Sequence, residues 1–340
     1  MIPLADLRAE APGPARPRIA VTRRIPEPAL ELLRGAGDLW VSPHDRPLSP
    51  EELREAARGA RALVTLLHDR VDEALLEAAG PELRVVANVA VGYDNIDVAA
   101  CTARRVVVTN TPGVLTEATA DLAMALILMT TRRLAEGERL IRARRSWSWH
   151  MFFLLGTSLQ GKRLGVVGLG KIGQATARRA RAFGMEIAYA GRREADPAVA
   201  AELGATRLGL DALLRTADVV SVHCPLTPET RHLIGAAELR KMKPTAYLVN
   251  TSRGPVVDEA ALAEALRAGV LRGAGLDVFE EEPEVHAGLL DLDCAVLLPH
   301  LGSATIEART AMGVLAAQNV VALLGGARPP APVNPEVLGG

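Results

Sequence analysis

Short, nearly continuous apolar runs alternate with amphipathic stretches along almost the whole chain. The first series of apolar runs stands at 18–22, 62–67, 84–89 and 106–109. Between them, residues 27–34, 50–58 and 71–79 repeat apolar positions at helical spacing. Uninterrupted short runs belong to strands buried on both faces, so the alternation predicts an α/β protein with parallel sheets covered by helices on each side. A second series follows at 163–167, 186–190, 218–223, 245–250, 273–277 and 295–298. Between the two series, Thr111-Pro112-Gly113 is a break. After it, Thr116 is expected to cap one long helix over 117–141. A final apolar helix is expected over 305–324, followed by an irregular Gly- and Pro-rich tail, 325–340. Residues 1–17, with Pro3, Pro12, Pro14 and Pro17, read as a loose extension. No solenoid-type repeat is present.

Composition narrows the function classes. The chain of 340 residues is long enough for two ordinary domains. Its formal net charge of −1 offers no basic excess for nucleic acid. The longest unbroken apolar run, 122–129, is too short to span a bilayer, and no secretion signal is read at the N-terminus. Cys101, Cys224 and Cys294 are odd in number and far apart, which argues for a reducing, cytoplasmic location rather than a disulfide framework. With no C-x-x-C or H-E-x-x-H pattern, no metal is expected.

The chemistry starts at Arg163-Leu164-Gly165-Val166-Val167-Gly168-Leu169-Gly170-Lys171-Ile172-Gly173. Gly168, Gly170 and Gly173 fit G-x-G-x-x-G between an apolar strand and a helical stretch, 174–183. The first glycine permits the turn, the second a close approach of backbone to pyrophosphate, and the third helix–strand packing. The helix N-terminus then meets the phosphates, and Leu169, Lys171 and Ile172 lie within that turn. At the end of the second strand, where an acid would hold a ribose 2′-hydroxyl, stand Gly191-Arg192-Arg193. Two guanidiniums favour a 2′-phosphate, so NADP(H) is expected over NAD(H), which stays possible with Glu194 in the acidic role.

Three further motifs end apolar strands: Asn250-Thr251-Ser252-Arg253-Gly254, 275–283 and 298–305. Ligands of open α/β sheets bind outside the carboxyl ends of the strands, so all three can meet at one site. Arg253 can fork onto a carboxylate and polarise the adjacent carbonyl. His300 can protonate the carbonyl oxygen as hydride reaches carbon. Glu282 can orient the imidazole and favour its protonated form.

In these residues the chain resembles the D-isomer-specific 2-hydroxyacid dehydrogenases, whose active site is an Arg, a Glu and a His in this order. Here the spacings are 29 residues from Arg253 to Glu282 and 18 more to His300. The family's Glu precedes a proline, which selects Glu282 over Glu280 and Glu281. The stretch 90–97 is similar to the family's substrate loop, with Val91 and Gly92 offering backbone N–H groups to a carboxylate. Segments 91–98, 275–283 and 299–305 read most like the glyoxylate/hydroxypyruvate reductases of that family. The resemblance implies NADPH-dependent reduction of glyoxylate or hydroxypyruvate, a homodimer through the apolar helix 117–134, and two doubly wound domains, Rossmann-like or flavodoxin-like, flanking a cleft. The substrate domain would be 18–111 plus 301–340, with the dinucleotide-binding domain, 112–300, inserted. Cys224, Pro225, Thr230, Thr251, Ser252, Asp277 and Gly302 complete the expected cofactor contacts, with Arg253 and His300 shared. Ser303 joins Val91, Gly92, Arg253 and His300 in the substrate set. Asp277 reads equally as a buried acid bonded to backbone. Phosphoglycerate, D-lactate or formate dehydrogenase is the nearer alternative, and a nucleotide-sensing corepressor-like scaffold the more distant one. His223 is expected to line the cofactor crevice without donating a proton. His44, His68, His150, His232 and His286 read as surface or packing residues, and Trp147 and Trp149 as packing anchors.

Overall fold

The computed structural model describes residues 16–339, so the expected extension lies largely outside the described residues. The chain divides into two compact units, residues 1–112 with 310–340, and residues 113–309. Residues 301–309 therefore go with the second unit rather than with the substrate domain. The reason is local: the turn that follows His300 is hydrogen-bonded into the second unit's own sheet end, through Asp277.

In the first unit, β1 (Arg18–Val21), β2 (Asp38–Val41), β3 (Ala62–Thr65), β4 (Val85–Asn88) and β5 (Val107–Thr109) form one parallel sheet in the order β2-β1-β3-β4-β5. That is the flavodoxin-like order. Strand β2 is not predicted by the hydrophobic pattern because it is a short edge strand that buries none of its residues fully. The tail is less irregular than its composition implies. Asn334 is buried, its Oδ1 accepts from the Val108 N–H at 2.8 Å, and its Nδ2 donates to the Val106 carbonyl at 3.0 Å.

In the second unit, β6 (Arg163–Val167), β7 (Glu186–Ala190), β8 (Thr206–Arg207), β9 (Val219–Val222), β10 (Tyr247–Asn250), β11 (Gly273–Leu276) and β12 (Ala295–Leu297) form a parallel sheet in the order β12-β11-β10-β9-β6-β7-β8. The order reverses at β6, the switch point of a Rossmann-type sheet. Alternate residues of the strands feed two cores. Val220, Val222 and Leu248 pack with Leu213, Leu239 and Leu262, while Val219 and Val249 pack with Leu126, Ile127 and Ala180. Each fully buried Leu or Ile contributes about 1.5–3 kcal/mol, so both faces are firmly held.

The single long helix expected over 117–141 is two helices, Thr116–Thr131 and Leu134–Arg142. Arg133 between them has a left-handed φ of 56°. The Thr131 carbonyl turns out of the helix to accept from the Thr157 N–H at 2.7 Å. Thr116 is the first helical residue and not its cap; Leu115 holds the cap position without a side-chain bond. Helix Thr116–Thr131 is apolar because both sides are covered within the unit, by helix Lys171–Ala182 and by β10, β11 and β12. A side chain at Gly275 on β11 would sit 3.2 Å from Leu126 Cβ. This helix is therefore not the exposed apolar surface that the sequence implies. Such a surface begins one helix later, where Ile141, Trp149, Met151, Phe152 and Leu155 are exposed. No helix among the described residues is long and apolar enough to cross a membrane.

Candidate active site

The carboxyl end of the second unit's sheet collects most of the residues that the sequence singles out. Strand β6 runs into Gly168, whose φ of +95° needs glycine. A Cβ there would stand 2.8 Å from the Cys224 backbone N, so the turn after β6 is pressed against the turn after β9. At Gly173 a Cβ would meet the Gly168 carbonyl at 2.4 Å, which explains the third glycine. Around Gly170 there is open space. Helix Lys171–Ala182 starts on Gly170 with no side chain capping it, so its first-turn N–H groups suit an anion. These features fit a dinucleotide pyrophosphate.

Arg192 and Arg193 are both exposed beyond β7, and the space beside Gly191 is open. The Glu194 carboxylate pairs with Arg207 at 2.9 Å, and Arg207 also donates to the Gly191 carbonyl at 3.2 Å. The Arg192 charge reaches towards the β9 turn, where the carboxyl of Glu229 is drawn down by hydrogen bonds from Thr227 and the backbone and by that charge. Cys224 is half-buried, and burial pushes its thiol up to about 11, so it is a neutral wall. Pro225 lies on the same turn, and its carbonyl accepts from the Thr230 hydroxyl at 2.7 Å. Burial of its ring pushes the His223 imidazole down to about 4, and Nε2 lies 2.8 Å from Ser221 Oγ. A neutral imidazole over the working range cannot act as the acid. Among the described residues, His223 Nδ1 and Thr251 Oγ1 are buried without partners, at the ends of β9 and β10, where a polar ligand edge would satisfy them.

Arg253 follows β10. Its turn is built by Asn250, whose Oδ1 accepts from the Ser252 N–H at 3.0 Å and whose Nδ2 donates to the Arg253 carbonyl at 2.9 Å. Ser252 Oγ accepts from the Arg253 N–H at 2.6 Å, and one guanidinium nitrogen donates to the Ser252 carbonyl at 2.9 Å. Glu282 Oε2 and His300 Nδ1 are 2.7 Å apart, both half-buried. The other Glu282 oxygen accepts from the Phe279 N–H at 3.1 Å. His300 has a left-handed φ of 54°, a conformation for which histidine is enriched among non-glycine residues.

That backbone turn is made by Asp277. Its carboxylate accepts from the Leu301 N–H at 2.6 Å and the Gly302 N–H at 2.8 Å, while its carbonyl accepts from the His300 N–H at 2.9 Å. Asp277 is only 1% exposed, and burial pushes its carboxyl above the usual carboxylate range. Each oxygen accepts one backbone N–H, so Asp277 helps to hold the turn beside His300. Gly302 is buried, and its carbonyl accepts from the Thr119 hydroxyl at 3.0 Å. Ser303 is half-buried in the next turn.

Val91 and Gly92 belong to the first unit, just past β4. Asn110 Nδ2 donates to the Val91 carbonyl at 2.8 Å and Asn88 Nδ2 to the Gly92 carbonyl at 3.0 Å. Neither of the two residues' N–H groups donates a hydrogen bond among the described residues, so the loop presents donors.

Sequence reasoning missed a second set of acids. Glu259, Glu280 and His232 interlock behind Arg253 and Glu282; an acid in the first turn of helix Glu259–Arg267 was the only signal, and it is a common one. Among the described residues, no cluster of three or more His, Cys, Asp or Glu could hold a metal ion.

The family described as D-isomer specific 2-hydroxyacid dehydrogenase, NAD binding domain, matches residues 124–302. A glyoxylate reductase of Thermococcus onnurineus is 49% identical over 327 residues, covering 95% of this chain and 97% of its own. A crystal structure of a Thermus thermophilus protein is 46% identical, with a TM-score of 0.86, over 93% of this chain and 99% of that one. An NADPH-dependent glyoxylate/hydroxypyruvate reductase of Sinorhizobium meliloti, solved with NADP and malonate, is 36% identical, with a TM-score of 0.81, over 94% and 97%.

Proposed function

The chain belongs to the D-isomer specific 2-hydroxyacid dehydrogenases, and we propose that within this family it reduces glyoxylate and hydroxypyruvate to glycolate and D-glycerate, with NADPH preferred. It is accordingly a nicotinamide-dependent oxidoreductase. The observation that carries the reading is the 2.7 Å contact between His300 Nδ1 and Glu282, at the end of a sheet whose glycine turn is open to a dinucleotide. The relatives named glyoxylate reductase support the substrate.

The Gly168–Gly173 turn would hold the pyrophosphate of a reduced nicotinamide dinucleotide, which would supply hydride to C2 of the 2-oxo acid. Arg253 forks onto the substrate carboxylate and draws electron density from the adjacent carbonyl. Because Nδ1 of His300 is engaged by Glu282, the proton is delivered from Nε2 to the carbonyl oxygen. Glu282 stabilises the imidazolium before transfer and keeps the ring in plane with its target. A panel of 2-oxo acids, assayed with NADPH and with NADH, tests the assignment; no turnover of glyoxylate or hydroxypyruvate with either cofactor refutes it.

Cofactor choice has its own test. With Glu194 held by Arg207, Arg192 and Arg193 are assigned to the 2′-phosphate. A hydrogen bond to a charged group is worth roughly 1.5–3 kcal/mol, and 1.4 kcal/mol is about a factor of ten. Removing both arginines should cut kcat/KM for NADPH at least about tenfold and leave NADH nearly unchanged. Adding Gly191→Asp should then raise NADH use. Equal losses for the two cofactors, at fixed salt, would sink the assignment.

The homodimer is assigned to the exposed apolar surface of the second unit. Trp149, Met151 and Phe152 are 76%, 71% and 80% exposed, and helix Leu134–Arg142 buries none of its residues in the monomer. Apolar exposure this dense marks an association surface. Light scattering should give twice the chain mass, and Phe152→Glu with Trp149→Glu should give the monomer; a monomeric wild type rejects it.

A further inference from the structure

Behind Arg253 and Glu282, a network of carboxylates ties two separate turns together. Glu259 is 5% exposed. One of its carboxylate oxygens accepts from the Glu280 N–H, and the other from the His286 N–H at 3.4 Å. Those two N–H groups lie on either side of Glu282 in sequence, so one buried side chain grips both flanks of the segment that presents Glu282. In return, Glu280 Oε1 accepts from the Glu259 N–H at 2.9 Å. Glu280 Oε2 lies 2.8 Å from His232 Nε2, and the His232 N–H donates to the Pro255 carbonyl at 2.8 Å. Pro255 is two residues from Arg253. Between them, Gly254 is pressed so hard against the segment that a Cβ would lie 1.9 Å from the Phe279 carbonyl carbon. The Arg253 turn and the Glu282 segment therefore share one scaffold.

A carboxylate buried this far is a costly way to fill space. Burial pushes the Glu259 carboxyl above its ordinary range, and its counterweight is the pair of N–H donors and the helix N-terminus on which it stands. An amide or an apolar residue would fill the same volume. What only a carboxylate offers is two acceptor oxygens with no donor, each able to take one N–H from a flank.

We propose that Glu259, Glu280 and His232 are positioning residues that lock the Arg253 turn to the Glu282 segment and so set the contact of Glu282 with His300. The proposal rests on the functional reading above. None of the three touches the reacting atoms; each acts through Arg253 or Glu282.

Glu280→Gln and Glu259→Gln, made in the full chain, test this. Misplacing catalytic groups by about 1 Å can cost on the order of a hundredfold in turnover. The expected result is a kcat for glyoxylate at least about tenfold lower per NADPH-binding site, with NADPH affinity retained. The alkaline limb of the pH profile should move to lower pH, because a displaced Glu282 carboxylate stabilises the His300 imidazolium less. In a His300→Ala background the same substitutions should cost less than in the wild type, because only the part that runs through Arg253 remains. A role confined to folding would lower the yield of NADPH-binding protein and leave the limb where it was. An unmoved limb, or losses that add in full to those of His300→Ala, overturns the proposal. Should Glu259→Gln fail to fold, the half-buried Glu280 carries the test alone. Wild-type protein inactive on every 2-oxo acid would instead overturn the functional reading.

Discussion

Replacing His300 by alanine is expected to lower kcat for glyoxylate reduction by at least about a hundredfold while NADPH affinity stays nearly intact. A hundredfold corresponds to about 2.7 kcal/mol of lost transition-state stabilisation. The loss falls on kcat because proton donation matters only as the alkoxide forms. The position is left-handed, with φ at 54°, so alanine adds some backbone strain to the chemical loss. His300→Asn separates the two, since asparagine tolerates that conformation and supplies no comparable acid. Both variants should be inactive; if Asn retains near-wild-type turnover, His300 is not the proton donor.

The second large effect is at Arg253. Arg253→Ala should lower kcat/KM for glyoxylate by more than about a hundredfold, through both a higher KM and a lower kcat. Two charge-assisted hydrogen bonds at roughly 1.5–3 kcal/mol each account for that size. Arg253→Lys keeps the charge but not the planar fork, and should recover only a part. Lysine with full activity would show that a point charge suffices and that the fork has no role.

Much of this site is legible in the linear sequence because each group stands at the end of a buried strand. The glycine turn after β6, Arg253 after β10 and His300 after β12 are all preceded by apolar runs that fix where the sheet ends. The fold class follows from the same runs. What escaped the sequence depends on partners far away along the chain. Nothing near Arg133 signals that the Thr131 carbonyl will bond residue 157 and end the helix. Strand β8 is two exposed residues and carries no hydrophobic pattern. The backbone role of Asp277 depends on the Leu301 and Gly302 N–H groups, 24 and 25 residues further along the chain. The Glu259–Glu280 exchange spans 21 residues and involves acids that look ordinary one at a time.

The pinning of the tail bears on how the polypeptide is made. Strand β5 is complete as soon as Thr109 has left the ribosome, yet the Val108 N–H finds its acceptor only in Asn334, 226 residues later. The Val333 N–H, likewise, closes onto the Val108 carbonyl at 2.7 Å. At a synthesis rate of about 5–20 residues per second, that edge stays unpaired by its native partner for roughly ten seconds or more. Every strand of the second unit, by contrast, is encoded within residues 113–309 and needs nothing from the last segment of the chain, 310–340. Biosynthesis thus imposes an order that the finished molecule conceals: the inserted half can mature before the edge at β5 is sealed by Asn334.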